Sequence, residues 1–445
     1  MTRRAFFRWP WMMLGFLLLA VLGLRGSQGQ AQTTTLRIGL QTKQAEVRLQ
    51  ANVPVQVQLP GADPVTLSAE QALVFRAQTK DGKPLTGGTM QSPDGTPVLA
   101  FTKPVQVRPA PAEGAPDPAL IRLLGPSRHY DKKADRPYRG TMEIMPRAEG
   151  LTVVNIVGVE SYLYGVVSSE MSPSYPLEAL KAQAVAARSY AVRNVGKWAA
   201  HGFDLDDTAA SQVYGGFFSE DPRTNAAVDG TAGLVLTYDR KIIDAVYSST
   251  CGGYTESAEE AWGRAVPYLV GIADHQGNLD PAFATRPTDE AGWANYFKYA
   301  RAFNCLQPKY ARVEAFRWVK LVTRQELEAG LPADYQVGTV QNIVPLRRGL
   351  SGRITALRLE GSDRSVTINK ELPIRKAFGD LRSSAFTVDI YRDDNGVPAV
   401  FAFWGAGWGH GLGMCQVGAV GLADKGWTHD KILAHYYRGT TLEKR

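Results

Sequence analysis

The order of its segments predicts that this chain is α+β: a mixed domain with a deep cleft and an inserted lobe, preceded by a small all-β module. Three observations carry this expectation. The first hundred or so residues alternate apolar and polar positions in short runs punctuated by turn signals. Strand-like pieces then lead into two helical segments, without the regular strand–helix alternation of a parallel sheet. At 445 residues the chain is also too long for one typical domain.

The elements follow in order. Arg3, Arg4 and Arg8 precede a charge-free run from Trp11 to Leu24, and Gly29-Gln30-Ala31 is a small-x-small cleavage pattern, so residues 1–31 read as a secretory signal peptide. The run is shorter than the roughly 20 apolar residues of a membrane span; an uncleaved N-terminal anchor is the alternative. Either reading places the body outside the cytoplasm, secreted, periplasmic or cell-wall associated. Residues 32–108 form the expected β-rich domain, with runs such as Leu36–Leu40 and Val53–Leu59 separated by Gly61-Ala62-Asp63-Pro64, Asp81-Gly82-Lys83-Pro84 and Asp94-Gly95. Residues 109–119 read as a stiff proline-rich linker. A larger domain is expected over 120–445, opening with strands near 140–144 and 151–156. Further strands are expected near 235–238, 242–247 and 399–403, and an insertion over about 295–395 with strands near 340–344 and 354–359.

Charge and cysteine content narrow the function. Removing residues 1–31 takes away four arginines and no acid, leaving 46 Lys+Arg against 43 Asp+Glu, a net charge of +3. So weak an excess does not argue for a nucleic-acid partner, although it suits an anionic polymer. Cys251, Cys305 and Cys415 allow one intramolecular bridge at most, and Cys251–Cys305 is the expected pair. With no CxxC and no HxxxH, the sequence supports zinc only weakly, and no cofactor is expected.

The most informative stretch runs from Val159 to Ala191. Tyr162, Leu163, Val166 and Val167 mark one face of a first helix. Met171–Pro176 breaks it with two prolines. A second helix follows from Leu177 to about Asn194, with Pro176 in its first turn, Ser174 or Tyr175 as cap, and alanine at 179, 182, 184, 186, 187 and 191. So many small side chains predict a central, tightly packed helix. Glu170 therefore lies at a helix end beside a stiff turn. Partial burial there disfavours its charged form and raises its pKa, as a general acid working near neutral pH requires. The ordinary alternative is a solvated helix-terminal glutamate.

Two more clusters stand out. Tyr247–Glu256 (Tyr-Ser-Ser-Thr-Cys-Gly-Gly-Tyr-Thr-Glu) joins hydroxyls and a thiol to Gly-Gly, which fits a turn whose backbone faces a ligand; Trp262 is a candidate aromatic face for a sugar. Gly405–Ala419 alternates glycines around His410 and Gln416 but matches neither GxGxxG nor a P-loop, so a phosphate cradle is not expected. Gly426–Gly439 reads as a capped helix, with His429 and His435 as structural residues.

These three clusters, in this order over residues 120–445, resemble the signatures of the stage II sporulation protein D and amidase-enhancer family. Cys415 stands where that family's terminal motif has serine. The resemblance does not extend to residues 32–108. It implies a catalytic domain acting on peptidoglycan glycan strands, with Glu170 on the position of the catalytic glutamate. The activity implied is that of a lytic transglycosylase: Glu170 protonates the leaving oxygen and then takes the proton of the substrate's own C6 hydroxyl, leaving 1,6-anhydromuramyl ends. Ordinary glycosidases need two carboxylates for comparable work. Arg188, Tyr190, Gln212 and Tyr214 are candidates to hold the sugar. Ser248, Thr250, Cys251 and Gly253, with His410 and Gln416, are candidates to line the cleft and stabilise an oxocarbenium-like state. Some family members carry zinc near this region, and their further ligands have no match here. The alternative function is a non-catalytic glycan-binding enhancer of a cell-wall amidase. A third reading, a thiol hydrolase using Cys251 or Cys415 with His410, lacks a nucleophile elbow.

Overall fold

Strand Gly150–Gly158 carries no charged residue, and all but two of its residues are buried, as expected for a strand covered on both faces. In the computed structural model it pairs antiparallel with Thr35–Gln44 on one side and Thr141–Arg147 on the other. The structure describes residues 34–445 apart from 62, 81, 92–96, 127–132, 276–284, 300–302, 308 and 311–312. The expected signal segment and the Asp94-Gly95 turn lie outside the described residues. No helix among the described residues is long and apolar enough to cross a membrane.

The sheet around Gly150–Gly158 has seven strands, in the order Leu205–Asp206, Thr35–Gln44, Gly150–Gly158, Thr141–Arg147, Val105–Pro109, Val55–Gln58 and Val65–Leu67. A six-stranded sheet runs Arg136–Tyr138, Ile121–Leu124, Glu46–Ala51, Leu73–Lys80, Lys83–Gln91 and Pro97–Phe101. Period-two alternation is visible where one face is solvated: Val55 and Val57 are buried, while Gln56 points out.

Both sheets take strands from either side of the proline-rich stretch, because Val105–Pro109 pairs with Thr141–Arg147 and Glu46–Ala51 with Ile121–Leu124. Residues 109–119 thus cross between strands of one layered unit, and the all-β part extends to Gly158 instead of ending at 108. Extended proline-rich backbone reads the same in sequence whether it separates domains or connects strands.

The helical part follows. Tyr162, Leu163, Val166 and Val167 of the helix Val159–Glu170 are all fully buried. The helix Leu177–Arg193 buries twelve of its 17 residues, including all six alanines. It packs against Val159–Glu170, Pro222–Asp229, Gln416–Asp424 and His429–Tyr436, and its small side chains permit that close approach. Pro176 occupies the cap position itself, with no side-chain cap, and the Ser174 hydroxyl bonds Ser172 instead.

The expected insertion forms a lobe with a separate hydrophobic core, in which Trp318, Ile343, Leu357 and Phe386 pack with Phe401 and Phe403 of the following strand, beyond the expected boundary. It holds one sheet of Val340–Arg348, Ile354–Gly361 and Ser365–Asn369, and another with Pro398–Ala406 between Arg317–Thr323 and Phe386–Arg392. Strand Pro398–Ala406 runs out of this lobe directly into the glycine-rich segment.

Candidate active site

Glu170 is the last residue of its helix. Its Oε1 accepts a hydrogen bond from the Val213 backbone N–H at 2.9 Å, and Oε2 accepts from Gln416 Nε2 at 3.3 Å. Burial raises its pKa above the usual carboxylate range; the bonds from Val213, Gln416 and the Tyr247 hydroxyl oppose that rise without cancelling it. The Tyr247 hydroxyl in turn accepts from Gln212 Nε2 at 2.8 Å, so its own proton is free to point at Glu170. Gln212 is fully buried and also accepts from the Tyr162 hydroxyl.

The opposite wall is the glycine-rich segment. Residues Tyr247 and Ser248 pair in parallel with Met414 and Cys415, Thr250 bridges Trp408, and Glu256 bridges Leu412. Gly407 and Gly413 show why glycine alternates here. Both have positive φ, 74° and 64°, and a Cβ would lie 2.6 Å from the Thr250 carbonyl oxygen and 2.0 Å from that of Val246. The segment can only lie flat on the 246–251 backbone without side chains at these positions. Arg353, from the lobe, pins the two together by donating to the Cys251 and Gly409 carbonyls.

Between the walls is a cleft of about 560 Å³. Glu170, Tyr190, Tyr247, Ser248, His410 and Gln416 line it, together with Lys197, Arg375 and Trp408. Glu170 is the one carboxylate among these lining residues. His410 is held neutral: burial and the nearby Arg353 and Arg375 charges lower its pKa to about 4, and its Nδ1 accepts from the Leu412 N–H. The Ser248 hydroxyl is buried and has no partner among the described residues. Gln416 reaches back to Gln183 Oε1 at 3.4 Å, and the Gln183 Nε2 is likewise buried and unpartnered. A cleft holding a protonatable carboxyl, a tyrosine hydroxyl, amides and a neutral imidazole can donate protons and hydrogen-bond a polyhydroxylated ligand.

The structure sorts the residues singled out in the sequence. Glu170, Tyr190, Ser248, His410 and Gln416 converge on the cleft. Arg188 does not: it is buried in a two-point ion pair with Glu160 and donates to the Leu234 carbonyl. Tyr214 lies in the core against Tyr138 and Tyr162, its hydroxyl on Asn155. Gln212, Thr250, Cys251 and Gly253 lie behind the lining. The aromatic face at the cleft is Trp408, 46% exposed, and not Trp262. Tyr247 was legible as part of its cluster, but Gln183, Lys197 and Arg375 carried no local signal.

The cysteines are free and buried. Cys251 and Cys305 lie 3.6 Å apart, so the expected bridge is not formed. Burial pushes all three thiols well above their usual range and none of them lines the cleft, so neither Cys251 nor Cys415 faces it beside His410. Cys415, in the place of serine, still caps the helix Gln416–Asp424 through the Gly418 N–H. His429 pairs with Glu178 at 2.7 Å, and His435 lies 3.6 Å from Asp274.

Comparison with known proteins finds relatives of this chain. Residues 147–238 match the family model described as stage II sporulation protein, and residues 256–413 match a domain of unknown function, DUF8618. An uncharacterized protein of Brachyspira hyodysenteriae is 33% identical over 306 residues, 68% of this chain and 72% of that one. The amidase enhancer of Bacillus subtilis is 31% identical over 307 residues, 63% of this chain, which spans 40% of that protein's length. The stage II sporulation protein D of Bacillus amyloliquefaciens is 30% identical over 306 residues, 65% of this chain and 76% of that protein.

Proposed function

The chain belongs to the stage II sporulation protein D family, and on that premise we propose that it is an exported cell-wall enzyme that cleaves peptidoglycan glycan strands as a lytic transglycosylase. The observation that carries the proposal is a single carboxyl in a polar cleft, Glu170, with its pKa raised by burial. Val213 anchors Oε1 with the shorter bond, so Oε2, with its longer contact from Gln416, is the oxygen to carry the proton. Glu170 then protonates the glycosidic oxygen as the C1–O bond breaks. The carboxylate left behind takes the proton of the C6 hydroxyl as that oxygen bonds to C1, closing the 1,6-anhydro ring and restoring the acid. Water is not consumed. The Tyr247 hydroxyl and Gln416 amide stabilise the transient carboxylate. Tyr190, Trp408 and the unpartnered Ser248 hydroxyl contact the sugar, while Lys197 and Arg375 favour an anionic polymer.

The name of the amidase-enhancer relative supports one other reading, a cleft that holds glycan without cutting it and acts through a partner amidase. Incubating the purified protein with denuded glycan strands and detecting anhydro ends by mass spectrometry separates the two. Cleavage that disappears in Glu170→Gln supports the transglycosylase. An inactive wild type that still binds strands and stimulates a wall amidase would sink it in favour of the enhancer.

A further inference from the structure

Behind the glycine-rich wall, away from the cleft lining, the Sγ atoms of Cys251, Cys305 and Cys415 and a carboxylate oxygen of Asp274 all lie within 4.8 Å of one another. These four residues are at most 2% exposed. We propose that they form a structural zinc site, Cys₃Asp, clasping the 246–253 turn, the 303–305 segment and the 407–416 loop. The inference rests on this geometry and not on the reading of the cleft.

The dimensions fit one tetrahedral ion. Zinc–sulfur bonds of about 2.3 Å and zinc–oxygen bonds of about 2.0 Å at tetrahedral angles give edges of about 3.8 Å between sulfurs and about 3.5 Å between sulfur and oxygen. Cys251 Sγ lies 3.6 Å from Cys305 Sγ and 3.3 Å from Asp274 Oδ2. A disulfide would draw two sulfurs to about 2.05 Å and leave the third thiol and the carboxylate unaccounted for.

The surroundings are those of charged ligands. The Cys415 sulfur accepts from the backbone N–H groups of Cys251 and Gly418, and the Cys251 sulfur from that of Gly253. The other carboxylate oxygen, Asp274 Oδ1, accepts from Asn304 Nδ2 and the Tyr436 hydroxyl, each at 3.0 Å. Such outer bonds orient ligands and leave them fewer alternatives. A buried carboxylate without a cation is costly, and among the described residues the nearest candidate is His435, at 3.6 Å. With four protein ligands, all buried, the site is closed, which makes it structural and not catalytic. Ligand separations of 23, 31 and 110 residues explain why no spacing motif announced it.

Metal analysis of the purified protein after dialysis tests the site without any glycan. The expected result is about one zinc per chain, falling to background in Cys305→Ser. Cobalt added to metal-free protein should give the strong visible bands of a tetrahedral thiolate site. Tyr436→Phe, which spares all four ligands, should weaken zinc binding about 10–100-fold. Metal-free protein that binds neither ion, a Cys251–Cys305 cross-link in non-reduced digests, or a stoichiometric ion other than zinc would each overturn the proposal. Because none of these measurements involves cleavage, failure here leaves the proposed function standing, and failure of that function leaves the site standing.

Discussion

Among the described residues two glutamates, Glu170 and Glu256, have their pKa raised by burial, and their surroundings are opposite in kind. Glu256, at the junction with the lobe, accepts from the Ser257, Leu350 and Ser351 backbone N–H groups and from the Ser351 hydroxyl, beside the Arg353 guanidinium. Glu170 has one short backbone bond, one long amide bond and the Tyr247 hydroxyl, and it lines the cleft. Burial raises the pKa of both. Burial alone therefore does not distinguish a reagent from a fastener; the number of donors committed to the carboxylate, and whether a ligand can reach it, does.

The comparison is broken most directly at Glu170. Glu170→Gln should reduce strand cleavage by about 10²–10⁴-fold, the range for loss of a general acid–base. It should also stabilise the fold. A carboxyl whose folded pKa is raised contributes stability below its ordinary range and loses it as pH rises through the folded pKa. Thermal melts should therefore show the variant above wild type at neutral pH and level with it near pH 4. A variant equally or less stable at neutral pH would mean that Glu170 is not strained by burial.

Glu256→Gln should give the reverse pattern. An amide NH₂ in place of one oxygen faces donors it cannot satisfy, a loss of about 3 kcal/mol of stability in denaturant unfolding, with cleavage by the folded fraction retained. Loss of cleavage without loss of stability would erase the distinction drawn here. Arg375→Gln asks whether the lobe only braces the site. Its side chain reaches the cleft, so KM for glycan should rise about tenfold, the effect of a charge-assisted bond of about 1.5 kcal/mol, with kcat nearly unchanged. The smallest effect is at His410. Its folded pKa of about 4 lies below the ordinary 6.5, so wild-type stability is lost as pH falls through that window. His410→Gln should flatten that slope in melts from pH 7 to 4, and an unchanged slope would place the proton uptake elsewhere.

What could be read in advance follows from how far each signal travels along the chain. Glu170 and the apolar face of its helix were legible because periodicity and a proline break are local. The glycine alternation at 405–413 also announced close backbone approach, though not to which partner. Arg188 and Tyr214 misled because a polar residue near a motif looks the same whether it faces a ligand or an ion pair in the core. Arg375 and Gln183 reach their places only through tertiary packing, and Asp274 meets the three cysteines only after segments from 251 to 415 come together. The proline-rich stretch reads as a linker for the same reason, since strand pairing across it is invisible until registers are known.

The two-residue parallel pairing of Tyr247 and Ser248 with Met414 and Cys415 has a consequence in time as well as space. A polypeptide is made from its N-terminus, and Gln416 emerges about 250 residues after the acid it contacts. Until then the helix bearing Glu170 has one wall and no cleft. Chain synthesis thereby sets an order: the second wall beside Glu170 is available only once the segment through Gln416 has been made, so the acid is enclosed last.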